Sequence, residues 1–308
     1  MRWIGLVVSI QLAVGSASLG QTQGQAQPKP RGEPSGAAIR NQNGNIRSAD
    51  TPEQIARMDA LLQRWEAVSQ NNQTLYAQFE RTDTTKFGTK QIYVGEALFK
   101  KPNLACLEWK QVVTTEKGEE KTIFTERIVC AGDRVYQMIG PTKQVMVYSL
   151  PQDERRRALE EGPVPFLFNM RMAQAKARYR WRLLLEQPAD PAKGTAACYF
   201  VEIEPLQKID MEEFSRAWVR LDQESLLPES LKLFLPNGDD TRTYRFSGLE
   251  RNGPQNKANN PENYNGAAMA EKFREYGYKI YLNANPGGPE ARPAQLGAQP
   301  ADPKQKRR

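Results

Sequence analysis

Tyr93-Val94-Gly95-Glu96-Ala97-Leu98-Phe99-Lys100-Lys101-Pro102-Asn103-Leu104-Ala105-Cys106-Leu107-Glu108-Trp109 reads as a strand, a tight corner and a returning strand. Pro102 has no N–H to give to a sheet ladder, so Lys100-Lys101-Pro102-Asn103 ends one strand and turns the chain into the next. Ile128-Val129-Cys130-Ala131-Gly132-Asp133-Arg134-Val135-Tyr136 and Gln144-Val145-Met146-Val147-Tyr148 repeat the pattern of apolar runs punctuated by turn residues. Strands are expected near 91–101, 104–111, 121–130, 133–139 and 143–149. Such short connections favour an antiparallel meander, because a parallel neighbour needs a long crossover.

Working outward, residues 74–80 alternate Leu75, Ala77 and Phe79 with Tyr76, Gln78 and Glu80, a half-buried strand. Upstream, Thr51-Pro52-Glu53-Gln54 is a helix start, with Thr as N-cap, Pro at the first helical position and Gln closing a capping box. Ile55, Met58, Leu62 and Trp65 then recur at helical spacing to about Gln70, a stripe expected to cover a core. Downstream, Gln152–Glu161 is charged and helical. Gly162-Pro163-Val164-Pro165 leads into Phe166-Leu167-Phe168-Asn169-Met170-Arg171-Met172, a second helical pattern running to about Ala177, dense enough in apolar residues to require burial. Strands resume near 178–187, 197–205, 215–222, 228–235 and 240–250, with Asn237-Gly238 marking a hairpin. The fold class is mainly β (α+β), with about eleven strands and two helical insertions. Ala267 to Asn283 adds a short helix and an edge strand.

The ends of the chain read differently. Arg2, an apolar run from Trp3 to Val14 and the small residues Gly15 to Ser18 suit a secretory signal peptide and are too short for a span, an uncleaved anchor being the alternative. The expected organisation is a signal over 1–26, a Gln/Pro/Gly-rich linker over 27–50, the folded domain over 51–250, a partly ordered extension over 251–283 and a basic disordered tail over 284–308. The formal charge of +7 lies in the ends: residues 51–283 hold 33 Lys and Arg against 32 Asp and Glu. A nucleic-acid reader is expected to carry a basic excess on its folded part, so no nucleic-acid partner is expected.

The chain has no histidine, which excludes Ser-His-Asp and Cys-His catalysis and His-bearing zinc sites. Dinucleotide, P-loop and nucleophile-elbow motifs are missing, no carboxylates read as a catalytic pair, and Asp239-Asp240 is a hairpin tip. Neither an enzyme nor a cofactor is expected. Three cysteines, Cys106, Cys130 and Cys198, lack metal-ligand spacing. In an exported protein Cys106 and Cys130, on neighbouring strands, are a possible disulfide; the alternative is three small buried thiols.

The order of these pieces resembles the outer-membrane lipoprotein carrier (LolA-like) family: the helix, the strands, Lys-Lys-Pro-Asn-Leu, the Ile-Val-Cys-Ala-Gly-Asp turn, Gln-Val-Met-Val-Tyr and Pro-Phe-Leu-Phe-Asn. Leu227-Pro228-Glu229-Ser230-Leu231 is similar to a motif of its planctomycete-type branch. The resemblance covers about residues 53–250. It implies an unclosed antiparallel β-barrel whose concave face is plugged by helices and holds lipid or lipoprotein acyl chains. It further implies an exported, periplasmic monomer that handles lipids in the cell envelope. The implied ligand positions are Lys101, where the family's basic corner residue keeps its charge without a guanidinium fork, and Ala105, where the family's ring is lost. Phe166, Phe168, Met170 and Met172 would form the plug, adaptable fillers that a lipid tail could displace. Each has a plainer reading: Lys101 as a solvated turn residue and the plug residues as ordinary core. The rival function is an envelope protein-interaction or sensor module that uses the same fold to hold a protein partner.

Overall fold

The computed structural model describes residues 50–150, 171–189 and 196–282. The signal, nearly all of the linker, the helical pattern at 152–161, the plug residues Phe166, Phe168 and Met170, and the basic tail lie outside the described residues.

Helix α1 spans Pro52–Gln70 and begins on the capping box that its sequence encodes: Thr51 Oγ1 accepts from the Gln54 amide at 3.2 Å, and Gln54 Oε1 accepts from the Thr51 amide at 2.8 Å. Its apolar stripe buries Met58, Leu61, Leu62 and Trp65. Twelve strands follow: β1 (Thr74–Thr84), β2 (Lys90–Lys100), β3 (Leu104–Thr114), β4 (Glu120–Ala131), β5 (Arg134–Ile139), β6 (Gln144–Ser149), β7 (Tyr179–Gln187), β8 (Cys198–Pro205), β9 (Arg216–Asp222), β10 (Pro228–Phe234), β11 (Thr241–Arg251) and β12 (Lys279–Leu282). The short helices α2 (Met172–Arg178), α3 (Lys208–Met211) and α4 (Gly266–Glu275) punctuate the second half.

All twelve strands form one sheet in the order β12-β6-β5-β4-β3-β2-β1-β11-β10-β9-β8-β7. The terminal strands β12 and β7 do not pair with each other, so the barrel is unclosed. Every pair is antiparallel except β12 on β6, which is parallel and reached through the C-terminal crossover. A twisted sheet this wide curls rather than lying flat. Its concave face carries one apolar cluster contributed by strands from β6 round to β7, closed over by α1. At the α1–β7 contact Trp65 meets Trp181 edge to face, ring centroids 5.9 Å apart.

The convex face has a second core. Tyr76, Leu98, Cys106, Val129, Tyr136, Met138, Val145 and Val147 point outward in register and are covered by Ala258, Tyr264, Ala270 and Ile280. The C-terminal segment that supplies these lids is pinned to the sheet by Lys257, whose Nζ donates to Glu96 at 2.9 Å and to the Tyr76 hydroxyl at 3.2 Å, and is braced internally by the Tyr264 hydroxyl, which donates to the Ala258 carbonyl. Gly266 allows close approach here: a Cβ on it would fall 2.2 Å from the Tyr136 ring. Beyond the eleven expected strands, α4 and β12 are the short helix and edge strand expected from Ala267 onward.

Candidate functional site

The site is built from the inward-facing positions of β1 to β6 and β11. Because side chains alternate, these positions form levels across the sheet. Nearest the C-terminal end of α1 the level is Leu75, Phe99, Ala105, Cys130, Val135 and Tyr148. The next runs Ala77, Ala97, Leu107 and Ile128. The third is Phe79, Gly95, Trp109 and Glu126, with Phe246 beyond Phe79. Then come Arg81, Tyr93 and Tyr244, and last Asp83 with Arg242. The concave face therefore grades from mostly apolar near α1 to charged at the far end.

The small residues in this grid have reasons. Gly95 carries the Phe79 ring over its backbone; a Cβ there would lie 2.5 Å from Phe79 Cζ and 2.3 Å from the Glu108 carbonyl oxygen. The charged end is self-organised. Arg81 Nε donates to Asp83 Oδ1 at 2.8 Å, its Nη2 pairs with Oδ2, and Arg242 Nε donates to the same carboxylate at 3.1 Å. The Arg81 guanidinium also lies 4.5 Å from the Tyr93 ring centroid. Burial works against both charges. The paired hydrogen bonds outweigh it, so Arg81 titrates higher than usual and Asp83 lower.

Glu126 is the exception on this face. It is 2% exposed, and among the described residues its carboxyl takes one hydrogen bond, from Gln137 Nε2 to Oε1 at 2.6 Å. Gln137 in turn accepts from the Tyr148 hydroxyl at 3.1 Å, so a polar chain crosses β6, β5 and β4. Burial pushes the Glu126 carboxyl up to about 7, and the Gln137 bond and the Arg81 charge offset only part of that. Beside it in register is Trp109, whose buried Nε1–H has no acceptor among the described residues. A bulge separates the Trp109–Glu126 pair from the Lys110–Phe124 pair and leaves Thr125 as the extra residue of β4. Thr125 is held by the Gln111 amide, which donates to its Oγ1 at 3.1 Å, and by the Gly140 amide, which donates to its carbonyl at 2.8 Å.

The expected site residues are placed as follows. Ala105 lies on the concave face, fully buried. Met172 is half-buried, begins α2 and packs against the same cluster. Lys101 sits at the β2–β3 corner with its ammonium turned onto the end of α1, donating to the Gln70 carbonyl at 2.7 Å and the Ser69 carbonyl at 3.4 Å. A cation at a helix C-terminus complements the unsatisfied carbonyls, and this is a role the sequence reading did not give it. Cys106 and Cys130 are free thiols, as is Cys198. Register explains why: Cys106 opposes Val129 and Cys130 opposes Ala105, so the two sulfurs lie on opposite faces of the sheet. Burial raises both thiols to about 11. Sequence reasoning missed Glu126, Trp109 and Arg81, although each is in phase with the apolar inward positions of its strand: Arg81 with Ala77 and Phe79, Glu126 with Ile128 and Cys130. A polar residue in that phase is the signal.

No family model matches this chain, and no curated protein does. Among solved structures, it is similar to a putative outer membrane lipoprotein-sorting protein domain from Vibrio parahaemolyticus, at 10% identity and a TM-score of 0.36, covering 70% of this chain and 98% of that one. It is similar to a LolA superfamily protein from Nitrosomonas europaea, at 10% identity and a TM-score of 0.30, covering 64% and 94%. It is similar also to the MucA/MucB complex of Pseudomonas aeruginosa, at 14% identity and a TM-score of 0.35, covering 65% and 59%.

Proposed function

We propose that this protein is an exported, non-enzymatic carrier that holds an apolar acyl moiety against the concave face of its open sheet and serves lipid or lipoprotein handling in the cell envelope. The observation that supports the reading is the graded face itself: an unclosed sheet whose inner surface is largely apolar, interrupted at Glu126 and Gln137, and ends in a charged cluster. Each buried methylene of a guest would contribute about 0.8 kcal/mol. In this reading Phe166, Phe168, Met170 and Met172 supply side chains that exchange with the guest, and Ala105 leaves room where the family's ring would stand. Among the described residues no helix is long and apolar enough to cross a membrane. The Leu227–Leu231 motif underlies a place in the planctomycete-type branch. There Leu227 and Leu231 are buried around the start of β10.

The test is native mass spectrometry of protein purified from membranes, paired with binding of a fluorescent fatty acid. Co-purified acyl lipid, and weakened probe binding by a folded Phe168→Glu variant, are the expected results. A bare protein mass with no probe binding overturns carriage.

A second reading, docking of a protein partner, is favoured by a patch on the opposite face. Trp218 is exposed there, packs edge to face on Phe234 at 4.8 Å, and is flanked by the guanidinium of Arg216 and the ammonium of Lys232. Exposed aromatic–cation clusters suit protein recognition. A stable partner mass without lipid in the same spectra would favour it.

A further inference from the structure

Two polar groups in the middle of the concave face have unused hydrogen-bonding capacity. The Trp109 indole N–H is buried and has no acceptor among the described residues. A buried donor with no acceptor is costly, and native interiors rarely leave one. Its cross-strand neighbour Glu126 uses only Oε1, which accepts from Gln137, while no described residue meets Oε2. Residues directly opposite across an antiparallel pair hold their Cβ atoms about 4.5–5.5 Å apart, so Trp109 and Glu126 are immediate neighbours on this face. The bulge at Thr125 adjoins this pair, a feature that commonly re-aims a side chain beside a functional site. On one side the surroundings are apolar, with Ala77, Ala97, Leu107 and Ile128 leading toward α1; on the other lies the Arg81–Asp83–Arg242 cluster.

We infer that Trp109 and Glu126 form a polar station that receives the carbonyl oxygen of an acyl chain, either the carboxyl of a free fatty acid or the carbonyl of an acyl ester. The inference rests on the carrier reading above and adds the group that is recognised and the orientation of the guest. The carbonyl accepts from Trp109 Nε1–H and from the protonated Glu126 carboxyl, whose geometry Gln137 and Tyr148 hold through their hydrogen-bonded chain. The methylene tail then lies along the levels of Ala77, Ala97 and Ala105, displacing the chain's own side chains that bury them in this structure. The head end of the guest faces the arginine cluster. A free carboxylate gains from the cationic excess of two guanidinium groups on one aspartate, and an ester does not.

The experiment uses the whole folded chain and displacement of N-phenyl-1-naphthylamine, an apolar probe without a carbonyl, by palmitic acid and by methyl palmitate. If the naphthylamine does not bind the wild-type protein, the carrier reading itself fails. If it binds, the polar station is tested by the ratio of acyl-competitor affinity to naphthylamine affinity. Trp109→Phe and Glu126→Leu should each lower that ratio by roughly five- to tenfold, the effect of one lost hydrogen bond to a buried group. Competition by both competitors identifies the carbonyl as the recognised group; competition by the acid alone identifies the carboxylate. A ratio within twofold of wild type in both variants, with unfolding midpoints showing that they remain folded, overturns the inference and leaves the carrier reading standing.

Discussion

Glu126→Gln gives the sharpest test of how the concave face is built. The glutamine side chain has the same shape and its Oε1 can keep the bond from Gln137 Nε2, so packing is unchanged and only the ionisable proton is removed. Below about pH 4.5 the wild-type side chain is neutral in both the folded and the unfolded chain, and the substitution should change little. Between 4.5 and about 7 the unfolded chain releases its proton while the folded chain keeps it. The folded state then binds more protons than the unfolded one, so wild-type stability falls as pH rises. Above about 7 the folded protein ionises too and the loss levels off. Raising this carboxyl from 4.5 to about 7, at about 1.36 kcal/mol per pH unit, corresponds to about 3 kcal/mol. Glu213, also pushed up to about 7 by burial, titrates in both proteins and cancels in the difference. Urea unfolding of the two proteins across this range should therefore show the variant gaining on wild type with rising pH, by about 3 kcal/mol at the alkaline end. A stability difference that does not vary with pH would show that Glu126 is not held neutral by burial, and the account of this face would be wrong.

Gly266→Ala should destabilise the protein by about 1–3 kcal/mol in urea unfolding and speed proteolysis of the C-terminal segment, because its Cβ would collide with Tyr136 at 2.2 Å. Lys101→Ala should cost about 1 kcal/mol by the same measurement, since its ammonium serves the last carbonyls of α1, and Lys101→Arg should recover part of it. With an aromatic disulfide reagent the native protein should react at none of its thiols, and all three should react in denaturant without prior reduction. Rapid reaction of the native protein would contradict the burial of Cys106 and Cys130.

Much of this architecture is written locally. The Thr51–Gln54 capping box starts α1 because its partners are three residues apart. The strand phases follow because alternation needs only a window of a few residues, and Pro102 ends β2 through its own ring. Those features separate inward from outward residues on each strand, and they placed the α1 stripe on the core. What they do not carry is which strand lies beside which, and in what register. The bulge that leaves Thr125 as an extra residue puts Glu126 opposite Trp109; register sends Cys106 and Cys130 to opposite faces; the end of α1 comes to Lys101 across the β2–β3 corner. The C-terminal segment, polar and turn-rich as a sequence, becomes the cover of the convex face because Tyr264, Ala270 and Ile280 find outward apolar positions on β3 to β6. Local chemistry decided the elements and their faces, since it acts within a turn or two of chain. The fold alone decided the polar station and the second core, since both depend on residues brought together from distant strands by the sheet's pairing.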